Sequence, residues 1–212
     1  VRCVVTGSPP DGFEIERKWL LHRLPARLQD PSRPLVRGAE RWEIRQGYLP
    51  APSESDFVAM TGRVVRDAEV PAVGRIREIR TIQGGRTVVR HVHTLKGGAG
   101  LIRREIERPI TAGAFEAAWA GTAGRRLEKV RWRIPEAGLL WEIDWFQTPA
   151  LALAEVEAID REAALAIQPP AWLAACIDRE VTDDPEFTNA ELAFRSGRIG
   201  GGSSIGGGVD SE

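Results

Sequence analysis

The stretch Phe13-Glu14-Ile15-Glu16-Arg17-Lys18-Trp19-Leu20-Leu21 decides the fold. In an extended strand, residues i and i+2 share a face. That parity puts Glu14, Glu16 and Lys18 on one side and Phe13, Ile15 and Trp19 on the other. One such strand is explained by an ordinary sheet with its apolar side on the core and its charged side in water. The pattern recurs, however. Arg75 and Arg77 flank Ile76, and Arg103, Glu105 and Glu107 lie opposite Ile102 and Ile106. Lys129, Arg131 and Arg133 alternate with Val130, Trp132 and Ile134. Glu142 and Asp144 alternate with Trp141, Ile143 and Trp145, and Glu155 and Glu157 flank Val156.

Like charges at i, i+2 stand about 7 Å apart. They repel unless an ion of opposite sign lies between them. The apolar faces carry Trp19, Trp132, Trp141 and Trp145, large rings suited to lying under helices. A barrel with its apolar face outward and its charged face lining a lumen satisfies both facts. Acidic clusters in such a lumen would hold hard divalent cations, and basic clusters a polyanion. Together they are the equipment of phosphoryl transfer.

Eight segments read as strands: Phe13–Leu21, Arg41–Leu49, Arg75–Ile82, Thr87–Leu95, Ile102–Ile110, Lys129–Ile134, Leu139–Phe146 and Leu151–Ala158. Gln83-Gly84-Gly85-Arg86 and Glu136-Ala137-Gly138 read as hairpin turns. Ala112–Gly121, Arg161–Ile167 and Asn189–Arg195 read as helices. The expected fold is α+β, an eight-stranded antiparallel β-barrel tunnel covered outside by helices. Residues 1–12 read as a leader, 13–195 as the tunnel domain and 196–212 as a flexible glycine-rich tail. A weak zone at 50–74 reads as a long loop carrying some strand.

Thirty acidic against 29 basic residues leave a net charge of −1, which excludes the broad basic field of a general nucleic-acid binder. A hydrophobic fraction of 42% with seven Trp supplies a core and excludes whole-chain disorder. No apolar run has the length of a membrane span. Cys3 and Cys176 form no metal or redox motif, so a cytoplasmic setting is expected. His91 and His93 could suggest zinc, but Lys96 at the opposite parity points inward, so both imidazoles should face out. Gly202-Ser203-Ser204-Ile205-Gly206 matches a serine-hydrolase elbow by chance, lacking the flanking strand and helix. No P-loop is present.

The Glu14-x-Glu16-x-Lys18 opening resembles that of the CYTH superfamily, the triphosphate tunnel metalloenzymes, which include class IV adenylate cyclases and thiamine triphosphatases. Further blocks follow in the family's order: Gln46-Gly47-Tyr48-Leu49, Arg75-Ile76-Arg77, Thr94-Leu95-Lys96-Gly97 and Arg103-Arg104-Glu105-Ile106-Glu107. After them come Lys129-Val130-Arg131-Trp132, Trp141-Glu142-Ile143-Asp144-Trp145-Phe146, Leu153-Ala154-Glu155-Val156-Glu157 and Glu180-Val181-Thr182-Asp183-Asp184-Pro185. The resemblance spans residues 13–195 and is similar to the bacterial single-domain branch. It implies metal-dependent hydrolysis of a triphosphate, most readily inorganic tripolyphosphate, by a monomer or homodimer. Cyclisation of ATP, thiamine triphosphatase activity and non-catalytic polyphosphate or nucleotide binding remain alternatives.

By position, Glu14, Glu16, Asp144, Glu155 and Glu157 resemble ligands of Mg²⁺ or Mn²⁺. Arg75, Arg77, Lys96, Lys129 and Arg131 resemble the phosphate-gripping bases. Arg103, Glu105 and Glu107 are further lumen positions. Lys18, near the reacting phosphate, and Arg131 carry the catalytic role in this resemblance. Removing Glu155 or Glu157 is expected to abolish turnover and leave the fold intact.

Overall fold

A computed structural model of the chain describes residues 13–30, 36–50, 73–83, 86–97 and 102–201. Its strands are β1 (Phe13–Leu21), β2 (Glu40–Leu49), β3 (Val73–Gln83), β4 (Arg86–Gly97), β5 (Ile102–Ile110), β6 (Arg126–Glu136), β7 (Leu139–Phe146), β8 (Leu151–Ala158) and β9 (Ile177–Glu180). All eight expected strands are present, and four keep their expected bounds. They form one sheet in the order β5-β4-β3-β2-β6-β7-β8-β1-β9. The ends of the eight-strand set meet where Phe13, Glu14 and Ile15 of β1 pair antiparallel with Arg104, Arg103 and Ile102 of β5. That seam is short. Farther along β1, Trp19, Leu20 and Leu21 pair with β9 instead.

The unexpected strand β9 reads Ile177-Asp178-Arg179-Glu180 and has no alternation to betray it. It is recruited by the open edge of β1, where Arg17 grips Glu180 through bonds of 2.9 and 2.6 Å. Arg17 also donates to the carbonyls of Ala164 and Ile167 at 3.2 and 2.8 Å. Those acceptors belong to the end of a helix, where carbonyls lack intrahelical partners.

The helices are α1 (Ala26–Gln29), α2 (Ala112–Trp119), α3 (Arg161–Ala166), α4 (Ala171–Ala174) and α5 (Asn189–Gly201). Thr111 caps α2 by accepting from the Ala114 N–H, and Asp160 caps α3 by accepting from that of Ala163. None of the described helices is long and apolar enough to cross a membrane.

Ile15, Trp19, Trp132, Ile134, Trp141, Ile143 and Val156 pack into one buried cluster with Ala164, Ile167 and Leu173 of the α3–α4 region. The Trp19 and Trp141 rings lie 5.6 Å apart. This is the outward apolar face that strand parity predicts. Trp145 departs from it, with 38% of its surface exposed.

The opposite, inner face carries the charged residues but is not charged throughout. At one end Tyr48, Leu127, Phe146 and Leu153 bury against Val181, Phe187, Leu192 and Ala193, so that α5 enters the concave side of the sheet. Elsewhere on that face Trp42, Ile44, Ile79 and Val92 form a second apolar cluster.

Helix α5 also corrects the expected start of the tail. It continues through Ser196 to Gly201, and Gly197 within it lies against the backbone of Gly124. A Cβ at Gly197 would meet the Gly124 carbonyl, and backbone cannot yield as a side chain can. The expected leader, most of the 50–74 loop, Gly84-Gly85 and the serine-containing glycine run lie outside the described residues. Gly197→Ala is expected to destabilise the fold by about 1–3 kcal/mol, as overpacking does, despite alanine's higher helix propensity. Urea unfolding checks this.

Candidate active site

Strand register builds the site. Lys18 on β1 lies opposite Glu155 on β8, and Glu155 lies opposite Glu142 on β7. Asp144, two residues on from Glu142, lies opposite Arg131 on β6. Residues paired across antiparallel strands point to the same face, so these groups converge.

Arg131 is the hub. Its Nε donates to Asp144 Oδ1 and its Nη2 to Asp144 Oδ2, both at 2.6 Å. Nη2 also donates to Glu155 Oε2 at 2.8 Å, and Nη1 bonds Glu142. Lys129 Nζ reaches Asp144 Oδ2 at 2.6 Å and Asn189 Oδ1 at 3.1 Å. Lys18 Nζ stands 3.0 Å from Glu155 Oε1 and 3.5 Å from Glu16 Oε1. It also reaches the Phe187 carbonyl at 3.5 Å. Lys18, Lys129, Arg131, Asp144 and Glu155 are all buried, Asp144 completely.

Burial opposes the charged forms of Arg131, Glu155 and Lys129, and the balance with their partners differs among the three. Burial works against the Arg131 cation, yet Asp144 and Glu142 outweigh it and hold its pKa well above the ordinary range. Burial would raise Glu155, but Lys18, Arg131 and Lys129 hold its carboxyl well below the usual range. Lys129 goes the other way. Burial and the adjacent Arg131 lower it to about 8, despite its bond to Asp144.

A second wall faces this one. Arg75 is buried on β3 and donates to Thr94 Oγ1 at 3.5 Å. Arg77 pairs with Glu107 on β5. Gln46 donates to the Tyr48 hydroxyl at 2.9 Å. Burial raises the Tyr48 pKa, against the pull of Arg75, Arg77 and Lys18. Tyr48 is on β2 and Lys18 on β1, with three strands between them in the sheet order, so their influence on each other is exerted across the lumen.

Glu16 and Glu157 are directly opposed on β1 and β8, with Glu157 at the exposed end. Glu14 lies opposite Arg103 and Lys96 opposite Glu105. The side chains of Glu14, Lys96, Arg103 and Glu105 lie outside the described residues. Among the described residues, no three carboxylate, imidazole or thiol groups form a ready metal cage. Two features still fit a hard cation. Glu16 and Glu157 lie directly opposite each other on β1 and β8, and two residues from Glu157 the buried Glu155 adds a further carboxylate, its Oε1 facing Lys18 at 3.0 Å. Mg²⁺ commonly takes one or two carboxylates and leaves its other positions to water and phosphate.

Parity alone did not assign roles to Glu142, Gln46, Tyr48, Thr94 or Asn189. Glu142 alternated visibly, but its tie to Arg131 depends on register. Asn189 reaches Lys129 only through the docking of α5. His91 and His93 face outward as expected. His91 bonds Glu78 at 3.0 Å and packs on Phe115 of α2, which makes it a support for that helix.

No family model matches the chain. An inorganic triphosphatase of Nitrosomonas europaea is 34% identical over 185 residues, covering 85% of this chain and 97% of that protein. The chain belongs to the CYTH superfamily of triphosphate tunnel metalloenzymes. An inorganic triphosphatase of Acetivibrio thermocellus is 33% identical over 103 residues, 47% of this chain and 62% of that protein. The crystal structure of the inorganic triphosphatase NE1496 is 30% identical, covers 85% of this CYTH chain and 97% of its own, and has a TM-score of 0.49.

The network revises the expectation for Glu155. Its loss would strand buried Lys18 and Arg131, so the fold should suffer along with any activity. Asp144→Ala is expected to cost about 3–5 kcal/mol in urea unfolding, since it leaves Arg131 and Lys129 buried without their shared carboxylate. Exposed Glu157→Gln should stay within about 0.5 kcal/mol. Lys129 adds a pH dependence. Its folded pKa of about 8 lies below the ordinary 10.5. Between those values the unfolded chain binds more protons, so stability attributable to Lys129 rises with pH. Unfolding curves across that window should show the rise in wild type and lose it in Lys129→Met.

Proposed function

We propose that this CYTH chain hydrolyses inorganic tripolyphosphate to phosphate and pyrophosphate with Mg²⁺ or Mn²⁺. The observation that carries the reading is its likeness, over nearly the whole length, to a protein named inorganic triphosphatase. The buried basic side chains Lys18, Lys129, Arg131 and Arg75 support it, because basic groups gathered away from water are matched to a polyanion.

Arg75, Arg77, Lys129 and Arg131 bind the phosphoryl oxygens, and Lys96, Arg103, Glu105 and Glu107 are assigned as further substrate-binding positions by the family resemblance alone. Arg131 arrives pre-oriented, since Asp144 fixes two of its nitrogens. We assign Asp144 to that positioning role in place of the metal ligation expected of it, because Arg131 and Lys129 already occupy both of its oxygens. Glu16, Glu155 and Glu157, with Glu14 beside them, would hold the metal. Such an ion supplies Lewis-acid stabilisation of the phosphoryl oxygens and a more acidic bound water. Lys18, beside Glu16 and Glu155, neutralises charge on the bridging oxygen as the phosphorus–oxygen bond breaks. The new bond is from water oxygen to the terminal phosphorus, and pyrophosphate leaves. A reducing cytoplasmic setting is consistent with Cys176, a buried free thiol.

A panel of tripolyphosphate, thiamine triphosphate and ATP, with Mg²⁺ or Mn²⁺, tests the proposal by measuring free phosphate and cyclic AMP. Fastest phosphate release from tripolyphosphate is expected. Cyclic AMP as the main product would refute hydrolysis, and tight binding without turnover under either metal would leave a binding module. Lys18→Met should lower kcat by about 10²–10³, as losing one group matched to transition-state charge does.

A further inference from the structure

Beyond the buried network, a cation on the inner face has no role so far. Arg90 on β4 pairs with Ile79 on β3 and shares its face with Val92 and buried Thr94. Its guanidinium carbon lies 4.3 Å from the centroid of the Trp42 ring. That of Arg133 lies 4.4 Å from the same centroid. Trp42 is held in turn, because its indole N–H donates to Glu40 at 3.0 Å. Trp42 also lies directly opposite Arg131 in the pairing of β2 with β6, which places the two outer cations on the same face as the buried hub.

The two guanidiniums differ in compensation. Arg133 pairs with Glu142 at 2.9 Å and with Glu40 at 3.3 Å. Arg90 forms no ion pair with any described residue and is exposed. An aromatic face attracts a cation through its quadrupole without cancelling the charge. Arg90 is therefore oriented while its hydrogen-bond donors stay available, which is the arrangement a phosphate needs.

We propose that Arg90, seated on Trp42, is an outer phosphate-binding residue that reads substrate length. It takes the phosphate beyond the third of a linear inorganic polyphosphate whose first three occupy the buried bases. This rests on the reading of the lumen as a polyphosphate site. A nucleoside is a poorer occupant of the same place. Trp42 is only 9% exposed and already carries two guanidiniums, so it offers a base little face on which to stack.

Calorimetric titration of the full chain, freed of metal by a chelator to prevent turnover, tests this with tripolyphosphate and tetraphosphate. Wild type is expected to bind tetraphosphate about tenfold more tightly, the worth of one charge-assisted contact. Arg90→Gln should bring that ratio to about one. Trp42→Phe should retain most of the preference and Trp42→Leu lose it, with thermal unfolding run on each variant to establish that it is folded. A ratio unchanged in Arg90→Gln, or no preference in wild type, would overturn the inference while leaving the lumen reading standing. An Arg90-dependent preference for ATP over tripolyphosphate would overturn it in favour of a nucleotide site. Failure of wild type to bind either polyphosphate would overturn the lumen reading and this inference with it.

Discussion

Arg131 and Asp144 bind each other through two parallel bonds of 2.6 Å inside the curled sheet. A bidentate pair of this kind fixes direction as well as charge. The arrangement of the other buried ions depends on it. Glu142 and Glu155, directly opposed on adjacent strands, would repel each other, and both instead bond Arg131. Lys129 uses the remaining capacity of Asp144, and Lys18 closes the group at Glu155. Burying so many charges is costly, and hydrophobic replacements in such positions often stabilise a fold. Their placement is therefore better explained by an anion they receive than by the stability they confer.

The net charge of −1 is a sum over this cancellation. It gives no sign of a broad basic surface, and it conceals the separation of charge inside. The stability of the fold comes from elsewhere. The outer faces of β1, β6, β7 and β8 bury their tryptophans and aliphatic residues under the helical segments. Helix α5 covers one apolar end of the inner face and brings Asn189 to Lys129. The polar chemistry thus occupies a band whose neighbours on the same strands are apolar.

Much of this was legible in the sequence because a strand's period is two. Once Glu14, Glu16 and Lys18 were set against Ile15 and Trp19, the same parity in Lys129, Arg131 and Arg133 marked the inner face. Partnership was not legible, since it depends on register between distant strands. Glu142 and Asp144 look equivalent along β7, yet Asp144 is completely buried and doubly bonded while Glu142 stays partly accessible. Nor does parity reveal when a face changes character. Trp42 and Ile44 lie on the same face as Gln46, and only the neighbouring strands show that they form an apolar patch there. The end of α5 was hidden for a local reason. Its glycines read as a tail by composition, whereas Gly197 is a packing contact with Gly124.

The central claim is that a polyphosphate occupies the space beside these buried cations. Lys129 reports on that space, because its pKa of about 8 is set by burial and by Arg131. An NMR titration of the Lys129 side-chain nitrogen, with and without tripolyphosphate in metal-free buffer, measures it most directly. A bound polyanion stabilises the ammonium form, so the pKa should move upward on saturation. Saturable binding that leaves the Lys129 titration unchanged would place the anion elsewhere and contradict the account.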